Sequence, residues 1–214
     1  MIVLGLVGSP AGGKSTVAAT LAERGATWVD ADRIARDVLD RPHIRRTLAT
    51  RFGDHILAPD GRVDRQRLAA IVFGDDDSKG LALNYLESIV HPPTRFEIGE
   101  QLKHAAAQKV AVAVLDVPLL FESGWDLACD QIWCVDAPFA IRVNRAADRG
   151  WDAAEMRRRE SNQLPIAEKA RRSGQVISNH RTRQELIASV KALYVSLEKS
   201  SRESPHDPGH CLTD

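Results

Sequence analysis

Short runs of apolar residues recur along the chain and alternate with stretches whose apolar residues fall at helical spacing. Apolar runs that are each followed by a helical pattern are typical of buried parallel strands and the helices that cover them. Five strands are predicted, at Ile2 to Val7, Thr27 to Asp30, Val110 to Leu115, Gln131 to Val135 and Gln175 to Ser178. The alternation therefore predicts a three-layer α/β fold, doubly wound around a parallel sheet.

Helical patterns follow most of these strands. They predict helices over Lys14 to Arg24, from near Asp32 to Leu39, within the arginine-rich stretch from Pro138 to about Asn162, and over Arg183 to Leu197. Residues 1–199 are expected to form a single domain. From Ser200 the chain is polar and contains prolines, which predicts a flexible tail over residues 200–214.

An insertion separates the second predicted strand from the third. About 70 residues lie between them, whereas a parallel crossover needs only about a dozen. Four helices are predicted there, at His43 to Arg51, Asp64 to Phe73, Leu81 to Val90 and Thr94 to Ala107, with breaks at Pro42, Asp60-Gly61 and His91-Pro92-Pro93. We expect a nucleotide-binding core over residues 1–40 and 109–199, and an inserted helical lobe over residues 41–108 that either holds a second substrate or only covers the core.

The segment directly after the first strand carries the clearest chemical signal. It runs from Gly8 to Thr16 and fits the phosphate-loop pattern G-x-x-x-x-G-K-[ST]. Backbone N–H groups of such a loop, together with the N-terminus of the next helix, bind phosphate oxygens. The predicted nucleotide contacts are Gly8, Ala11, Gly12, Gly13, Lys14, Ser15 and Thr16. Lys14 would reach the β- and γ-phosphates of ATP, and Ser15 would be a ligand of Mg²⁺.

Three aspartates stand at the carboxyl ends of predicted strands, the edge at which parallel sheets bind ligands. Phosphoryl transfer to an alcohol needs a carboxylate that orients the hydroxyl group and accepts its proton. Asp32 is the candidate base, although an aspartate at a strand-to-helix junction is also a typical N-cap. Asp116 is a candidate Mg²⁺ ligand, and Asp30 either assists or holds the turn.

Arginines are dense in the helical stretch after the fourth strand. Arg142, Arg145 and Arg149 are spaced by three and four residues, so a single helix would line them along one face. Arginines on a mobile lid can neutralise the charge of the transferring phosphoryl group, and Arg145 and Arg149 are the candidates. The triplet Arg157–Arg159 is interpreted as a solvated surface, and His91 as a structural hinge or cap.

Composition narrows the possible partners. The chain has 214 residues, 43% of them hydrophobic, and a formal net charge of zero, so nothing indicates binding to nucleic acid or to an anionic membrane. No apolar run approaches the roughly 18 residues of a membrane span. The cysteines Cys129, Cys134 and Cys211 lack paired spacing and are interpreted as reduced thiols, so a cytoplasmic protein is expected.

These segments together resemble one family, the dephospho-coenzyme A kinases, over roughly residues 2–198. The resemblance is carried by the phosphate loop with Lys14-Ser15-Thr16, by Val29-Asp30-Ala31-Asp32, by Phe52-Gly53, by Asp60-Gly61-Arg62-Val63-Asp64-Arg65, by Ile89-Val90-His91-Pro92, by Asp116-Val117-Pro118-Leu119-Leu120-Phe121-Glu122-Ser123-Gly124, and by Arg145 and Arg149. The phosphate loop alone occurs in many families, whereas the other segments are far more specific.

The resemblance implies ATP-dependent phosphorylation of the ribose 3′-hydroxyl of dephospho-coenzyme A, the last step of coenzyme A synthesis, with Mg²⁺ as cofactor. Asp32 would correspond to the family's proposed base, Lys14 and Arg145 to its phosphate-stabilising cations, and Ser15 to its Mg²⁺ ligand. The inserted lobe would bind the acceptor, and residues 138–165 would form the lid. A monomer or a weak homo-oligomer is expected.

Two segments depart from the family's pattern. Ser9-Pro10-Ala11 replaces the usual glycine and isoleucine of the loop, and Pro10 has no N–H to donate. The late pattern Ala-Asp-x-Val-Ile-x-Asn-x-Gly appears as residues 173–181 without its aspartate or final glycine, which affects the adenine side, where Asn179 is the predicted ATP contact. Two alternatives stay open: a kinase for another small molecule, such as a nucleoside monophosphate or a sugar acid, and a nucleotide-dependent switch that transfers no phosphate.

Overall fold

The computed structural model describes residues 1–73 and 77–203. Five strands form one sheet: β1 (Ile2–Gly8), β2 (Thr27–Asp30), β3 (Val112–Asp116), β4 (Gln131–Asp136) and β5 (Gln175–Ser178). Their order is β2-β3-β1-β4-β5, and every neighbouring pair is parallel. The predicted three-layer α/β fold with a parallel sheet is therefore confirmed, and β1 lies at its centre.

Nine helices are found in the part of the chain that the structure describes. They are α1 (Lys14–Ala22), α2 (Ala31–Leu39), α3 (Pro42–Phe52), α4 (Arg65–Val72), α5 (Asp77–Ala107), α6 (Phe139–Ala146), α7 (Ala153–Ser161), α8 (Ile166–Arg171) and α9 (Arg183–Glu203). None of these helices is both long enough and apolar enough to cross a membrane.

The chain divides into two compact units. The first combines Met1–Asp30 with the chain from Leu102 onward, and it contains the whole sheet. Its core joins β1 to α1 and α9, where apolar side chains such as Leu6, Leu21 and Val190 are fully buried. The contiguous burial of these side chains fixes α1 against the sheet, and α1 is the helix that follows the phosphate-loop sequence.

The second unit, Ala31–Gln101, has a core of its own. One cluster of buried residues in this unit consists of Val63, Leu68, Val72 and Ala82. A capping aspartate starts one of its helices, because the Asp64 carboxylate accepts hydrogen bonds from the backbone N–H groups at the start of α4. An open groove of about 640 Å³ in this unit is lined by Pro42, Arg45, Arg46, Ala49, Thr50, Gly53, Asp54, Leu57 and Gly61.

The break predicted at His91-Pro92-Pro93 is wrong. α5 continues through Pro92 and Pro93 as one helix of 31 residues. Proline removes one N–H and crowds the preceding turn, which is why a break was predicted. Burial outweighs that cost, because Val90, Thr94 and Ile98 recur every four residues and are all buried. The Thr94 hydroxyl also donates to the Val90 carbonyl at 2.7 Å.

The arginine-rich stretch is not one helix either. α6 ends at Ala146, a short 3₁₀ turn covers Ala147–Arg149, and α7 begins at Ala153. Gly150 separates the two helices at φ 71°, the left-handed conformation that glycine adopts most easily. The α8 helix was not predicted, and α9 continues beyond the predicted start of the tail at Ser200 to Glu203. The rest of that predicted tail lies outside the described residues.

Candidate active site

The phosphate-loop segment connects the end of β1 to the start of α1, as the motif requires. Gly13 is the N-cap of α1 and has φ 109°, and within the described chain no side chain caps this helix end. Thr16 donates its N–H to the Gly13 carbonyl at 3.0 Å, whereas the N–H groups of Lys14 and Ser15, which precede it, are available to an anion. Lys14 and Ser15 are the first two residues of the helix, with Ser15 exposed.

Close contacts with β4 explain the glycine at the start of the loop. A Cβ atom added at Gly8 would lie 2.1 Å from the Val135 carbonyl oxygen. A Cβ at Gly12 would lie 2.8 Å from the Ser9 carbonyl oxygen. These positions have no room for a side chain, so the loop backbone lies closer to β4 at Gly8, and closer to itself at Gly12, than any other residue type would allow.

Three side chains from distant parts of the chain hold the loop. The Asp136 carboxylate accepts a hydrogen bond from the Ser9 hydroxyl of the loop at 2.7 Å. The Asn179 side-chain amide donates to the Gly12 carbonyl at 2.8 Å. Arg142 donates to the Pro10 carbonyl at 3.4 Å. Although Pro10 has no N–H, its carbonyl oxygen is thus part of the network that fixes the loop.

Arg145 lies next to this network. Its Nη2 donates to the carbonyl oxygen of Asn179 at 3.1 Å and to the side-chain oxygen of the same residue at 3.2 Å. Its Nη1 is buried and has no hydrogen-bond partner among the described residues. A buried N–H without a partner is costly, so it indicates a donor that a bound ligand would satisfy.

Arg142 has a different role from Arg145, although the sequence placed them together. Only 5% of Arg142 is exposed, and its guanidinium donates to the Ala137 carbonyl at 2.7 Å and pairs with Glu160 at 2.5 Å. These partners, together with Pro10, occupy the guanidinium within the protein. Arg142 therefore supports the loop from inside the fold.

Arg149 also leaves the predicted common face, because it lies in the turn after α6. Its guanidinium is 5.5 Å from the centre of the Trp151 ring, and Arg159 covers the same ring at 3.7 Å. Both distances are within the range of cation–π contacts. The prediction of one helical face carrying three arginines is thus wrong, because the helix ends before Arg149.

The predicted carboxylates lie on different elements. Asp30 and Asp116 end the neighbouring strands β2 and β3 and are directly opposite each other in the register. Asp32 belongs to the second unit and is the second residue of α2, so it lies inside the first turn rather than at the N-cap. A carboxylate in the first helical turn interacts favourably with the helix dipole.

The comparisons with known proteins agree with this geometry. A family model described as CoaE, dephospho-CoA kinase, matches residues 2–185. The chain belongs to the dephospho-CoA kinase family. Two relatives named dephospho-CoA kinase are similar over nearly their whole length: one from Rhodopirellula baltica is 37% identical, with 92% of each chain covered, and one from Leifsonia xyli is 41% identical, with 92% of this chain and 99% of the relative covered.

Solved structures with the same fold are also similar to this chain. The crystal structure of TT1252 from Thermus thermophilus is 34% identical, covers 92% of this chain and 97% of its own, and has a TM-score of 0.75. A dephospho-CoA kinase from Campylobacter jejuni has a TM-score of 0.67 at 22% identity, with 92% of this chain and 97% of its own covered. The second likeness shows the fold alone.

Oxygen donors suited to Mg²⁺ occur at two predicted positions of this dephospho-CoA kinase family member. Ser15 offers a hydroxyl group in the first turn of α1, and Asp116 offers a carboxylate at the end of β3. Residues 1–73 and 77–203 contain no group of three or more His, Cys, Asp or Glu side chains that would hold a metal ion. This donor set fits Mg²⁺, which is usually held by one or two protein oxygens together with substrate phosphates and water.

Sequence reasoning missed several residues that hold the site. Asp136 ends β4 in the same way that Asp116 ends β3, so the reasoning applied to the other aspartates would have found it. Glu160 pairs with Arg142, and Lys169 is buried near the Gly8 carbonyl. Neither gave a signal, because nothing local predicts that a charged residue of a polar helix will be buried or will contact a residue far away in sequence. Asn179 was predicted as an ATP contact, and its side chain is hydrogen-bonded to the loop and to Arg145.

Proposed function

We propose that this protein transfers the γ-phosphoryl group of ATP to the ribose 3′-hydroxyl of dephospho-coenzyme A, giving coenzyme A and ADP. Membership of the dephospho-CoA kinase family makes it an ATP-dependent kinase that catalyses the last step of coenzyme A biosynthesis. The observation that carries the assignment of the site is the phosphate loop, which is fixed between the central strand and an uncapped helix N-terminus in the part of the chain described.

The loop and its neighbours suit the charge of a triphosphate. The backbone of Gly8, Ala11, Gly12, Gly13, Lys14, Ser15 and Thr16 would bind the phosphates. The Lys14 ammonium and the unpartnered Nη1 of Arg145 would stabilise the negative charge that develops on the transferring group. Arg149 would add a contact to ATP, and Asn179 would reach the adenine side of the site.

Asp32 would act as the base. It would orient the ribose 3′-hydroxyl and accept its proton while the oxygen attacks the terminal phosphorus in line with the departing ADP oxygen. Its side chain is carried by the first turn of α2.

Mg²⁺ would be held by Ser15 and Asp116. When it is bound, it neutralises phosphate charge and stabilises the leaving ADP. The protein's contribution is to supply two oxygen ligands on rigid elements, since Ser15 lies on α1 and Asp116 ends a buried strand.

The second unit would bind the acceptor. Arg45 and Arg46 give the 640 Å³ groove beside α3 a positive charge that suits the diphosphate of dephospho-coenzyme A. We expect Arg46→Ala to raise the KM for the acceptor several-fold and to leave the KM for ATP unchanged. An unchanged KM for the acceptor would remove the groove from the proposal.

Product analysis tests the proposed reaction directly. Purified protein is incubated with Mg·ATP and either dephospho-coenzyme A, nucleoside monophosphates or sugar acids, and ADP release and products are measured. We expect coenzyme A to form and ADP release to depend on dephospho-coenzyme A. Transfer to another acceptor would favour a different small-molecule kinase, and slow hydrolysis that ignores every acceptor would favour a nucleotide-dependent switch.

Two variants test the roles of individual residues. Asp32→Asn should retain ATP binding and lose most turnover, while Asp37→Asn on the exposed side of the same helix serves as the control. Lys14→Ala should lower kcat even at saturating ATP, because the lysine acts mainly on charge that develops during transfer. Near-normal turnover of Asp32→Asn would show that Asp32 is not the base.

The protein is proposed to work in the cytoplasm as a monomer or weak homo-oligomer. Cys129 and Cys134 are unpaired thiols, which is typical of a reducing compartment. Light scattering across a range of protein concentrations would test the oligomeric state.

A further inference from the structure

Lys169 is a buried lysine beside the phosphate loop to which the proposed mechanism assigns no role. It lies on α8, and only 5% of the residue is exposed. Its Nζ donates to the side-chain oxygen of Gln163 at 2.8 Å and lies 3.5 Å from the Gly8 carbonyl oxygen. Lysine is almost never fully buried without a charged partner, so this position needs an explanation.

The electrostatic surroundings make the burial costly. Burial lowers the pKa of the Lys169 ammonium, the negative charge of Glu122 opposes that effect, and the positive charge of Lys14 adds to it. Lys169 forms no ion pair with any residue in the described ranges. A buried ammonium that lacks a close carboxylate contributes little to stability by itself, which points to a role in the site.

The Gly8 carbonyl is a sensitive point for that role, because Gly8 is the first residue of the loop. A peptide unit is planar and trans, so its C=O and N–H groups point in opposite directions. A cation that fixes the direction of the Gly8 carbonyl therefore also fixes the direction of the Ser9 N–H. Loops of this kind bind phosphates through the orientation of such N–H groups.

We infer that Lys169 is a positioning residue for ATP binding, which holds the first peptide of the phosphate loop through Gly8 and joins it to Gln163. The inference rests on the proposed function, because it assumes that ATP occupies the loop. The charge of Lys169 also acts near Lys14, so it adds positive potential at the place where phosphates bind. Gln163 lies two residues after the end of α7, so the contact ties the end of the arginine-rich segment to the loop.

The test compares ATP binding and catalysis in matched variants. Lys169→Met keeps most of the side-chain volume and removes the charge, Lys169→Arg keeps the charge, and Lys199→Met on the exposed surface of α9 is the control. The Kd of Mg·ATP is measured by calorimetry without acceptor. The KM for ATP and kcat are measured in a turnover assay with dephospho-coenzyme A as acceptor, and Tm is measured by thermal unfolding.

We expect Lys169→Met to weaken ATP binding about tenfold or more, Lys169→Arg to recover at least part of that loss, and Lys199→Met to behave as wild type. The KM for dephospho-coenzyme A should stay unchanged. A lower Tm with an unchanged Kd for ATP would mean that Lys169 is only structural and would overturn the inference.

Gln163→Leu decides the question if Lys169→Met does not fold, because Gln163 is less buried and its loss frees the ammonium. We expect weaker ATP binding in this variant, and unchanged binding would overturn the inference. Calorimetry also separates this inference from the proposed reaction. If the wild-type protein binds ATP but forms no coenzyme A, the proposed reaction is wrong, and the comparison of ATP binding among the variants still tests Lys169.

Discussion

Replacing Asn179 by alanine would test how the phosphate loop is held. Asn179 is 5% exposed, and its side-chain amide donates to the Gly12 carbonyl at 2.8 Å. Its side-chain oxygen accepts a hydrogen bond from Arg145 at 3.2 Å. The backbone contacts of Asn179, including the bond from Arg145 to its carbonyl oxygen at 3.1 Å, do not depend on the side chain and remain in the variant.

The expected magnitude follows from these contacts. Gly12 is buried, so its carbonyl loses its amide donor in a place that water reaches poorly, at a cost of about 1–3 kcal/mol. Arg145 keeps one of its two bonds to this residue and adds little to the loss. A loss of about 2 kcal/mol lowers the Tm of a chain of this size by about 4–8 °C. If ATP binding must first restore the loop conformation at this cost of about 2 kcal/mol, the affinity of the protein for ATP falls by at most about 30-fold.

Thermal unfolding and calorimetric titration with Mg·ATP measure the two effects. Asn144→Ala is the matched control, because Asn144 is exposed on α6 and the same side-chain atoms are removed there. We expect the control to change Tm by no more than about 1–2 °C, as is usual for surface substitutions. The Asn179 variant should lose both stability and affinity.

A Tm and an ATP affinity equal to those of wild type would refute this reasoning. That result would mean that the bond between Asn179 and Gly12 does not hold the loop in solution. A lower Tm with unchanged affinity would show instead that the bond stabilises the fold but that the loop keeps its conformation without it.

Three further predictions concern stability, measured by chemical denaturation. Gly8→Ala should cost at least about 3 kcal/mol, because the new Cβ would lie 2.1 Å from the Val135 carbonyl oxygen; a smaller cost would contradict that close approach. Gly80→Ala should stabilise the protein by about 0.5–1 kcal/mol, because Gly80 lies within a helix and its Cβ would meet no atom within 4 Å; any destabilisation would argue against an open position. Burial raises the pKa of Cys129 from 9.0 to about 12 and that of Cys134 from 9.0 to about 11, so between these values, from pH 9.0 to about 11, the unfolded chain releases two protons that the folded chain keeps. The free energy of unfolding should therefore fall by up to about 1.4 kcal/mol per pH unit for each thiol, and Cys129→Ala should halve this slope.

Local patterns predicted the strands and the loop well. The strands at Thr27–Asp30 and Gln175–Ser178 have the predicted bounds, because short segments that contain β-branched residues and follow a turn favour strands. Local patterns failed at Pro92 and Pro93, where burial of one helical face outweighed the preference of proline for a break. They also failed between α6 and α7, where Gly150 separates arginines that share a helical spacing in the sequence.

The sequence by itself determined the parallel α/β fold, the position of the phosphate loop and the family, because each of these depends on residues close together along the chain. Only the tertiary structure decided which side chains hold the loop. Asn179, Arg142 and Lys169 reach it from 167, 132 and 161 residues away, respectively. Such contacts depend on the order of the strands and on which groups become buried, since a buried carbonyl must find a donor wherever the fold brings one near.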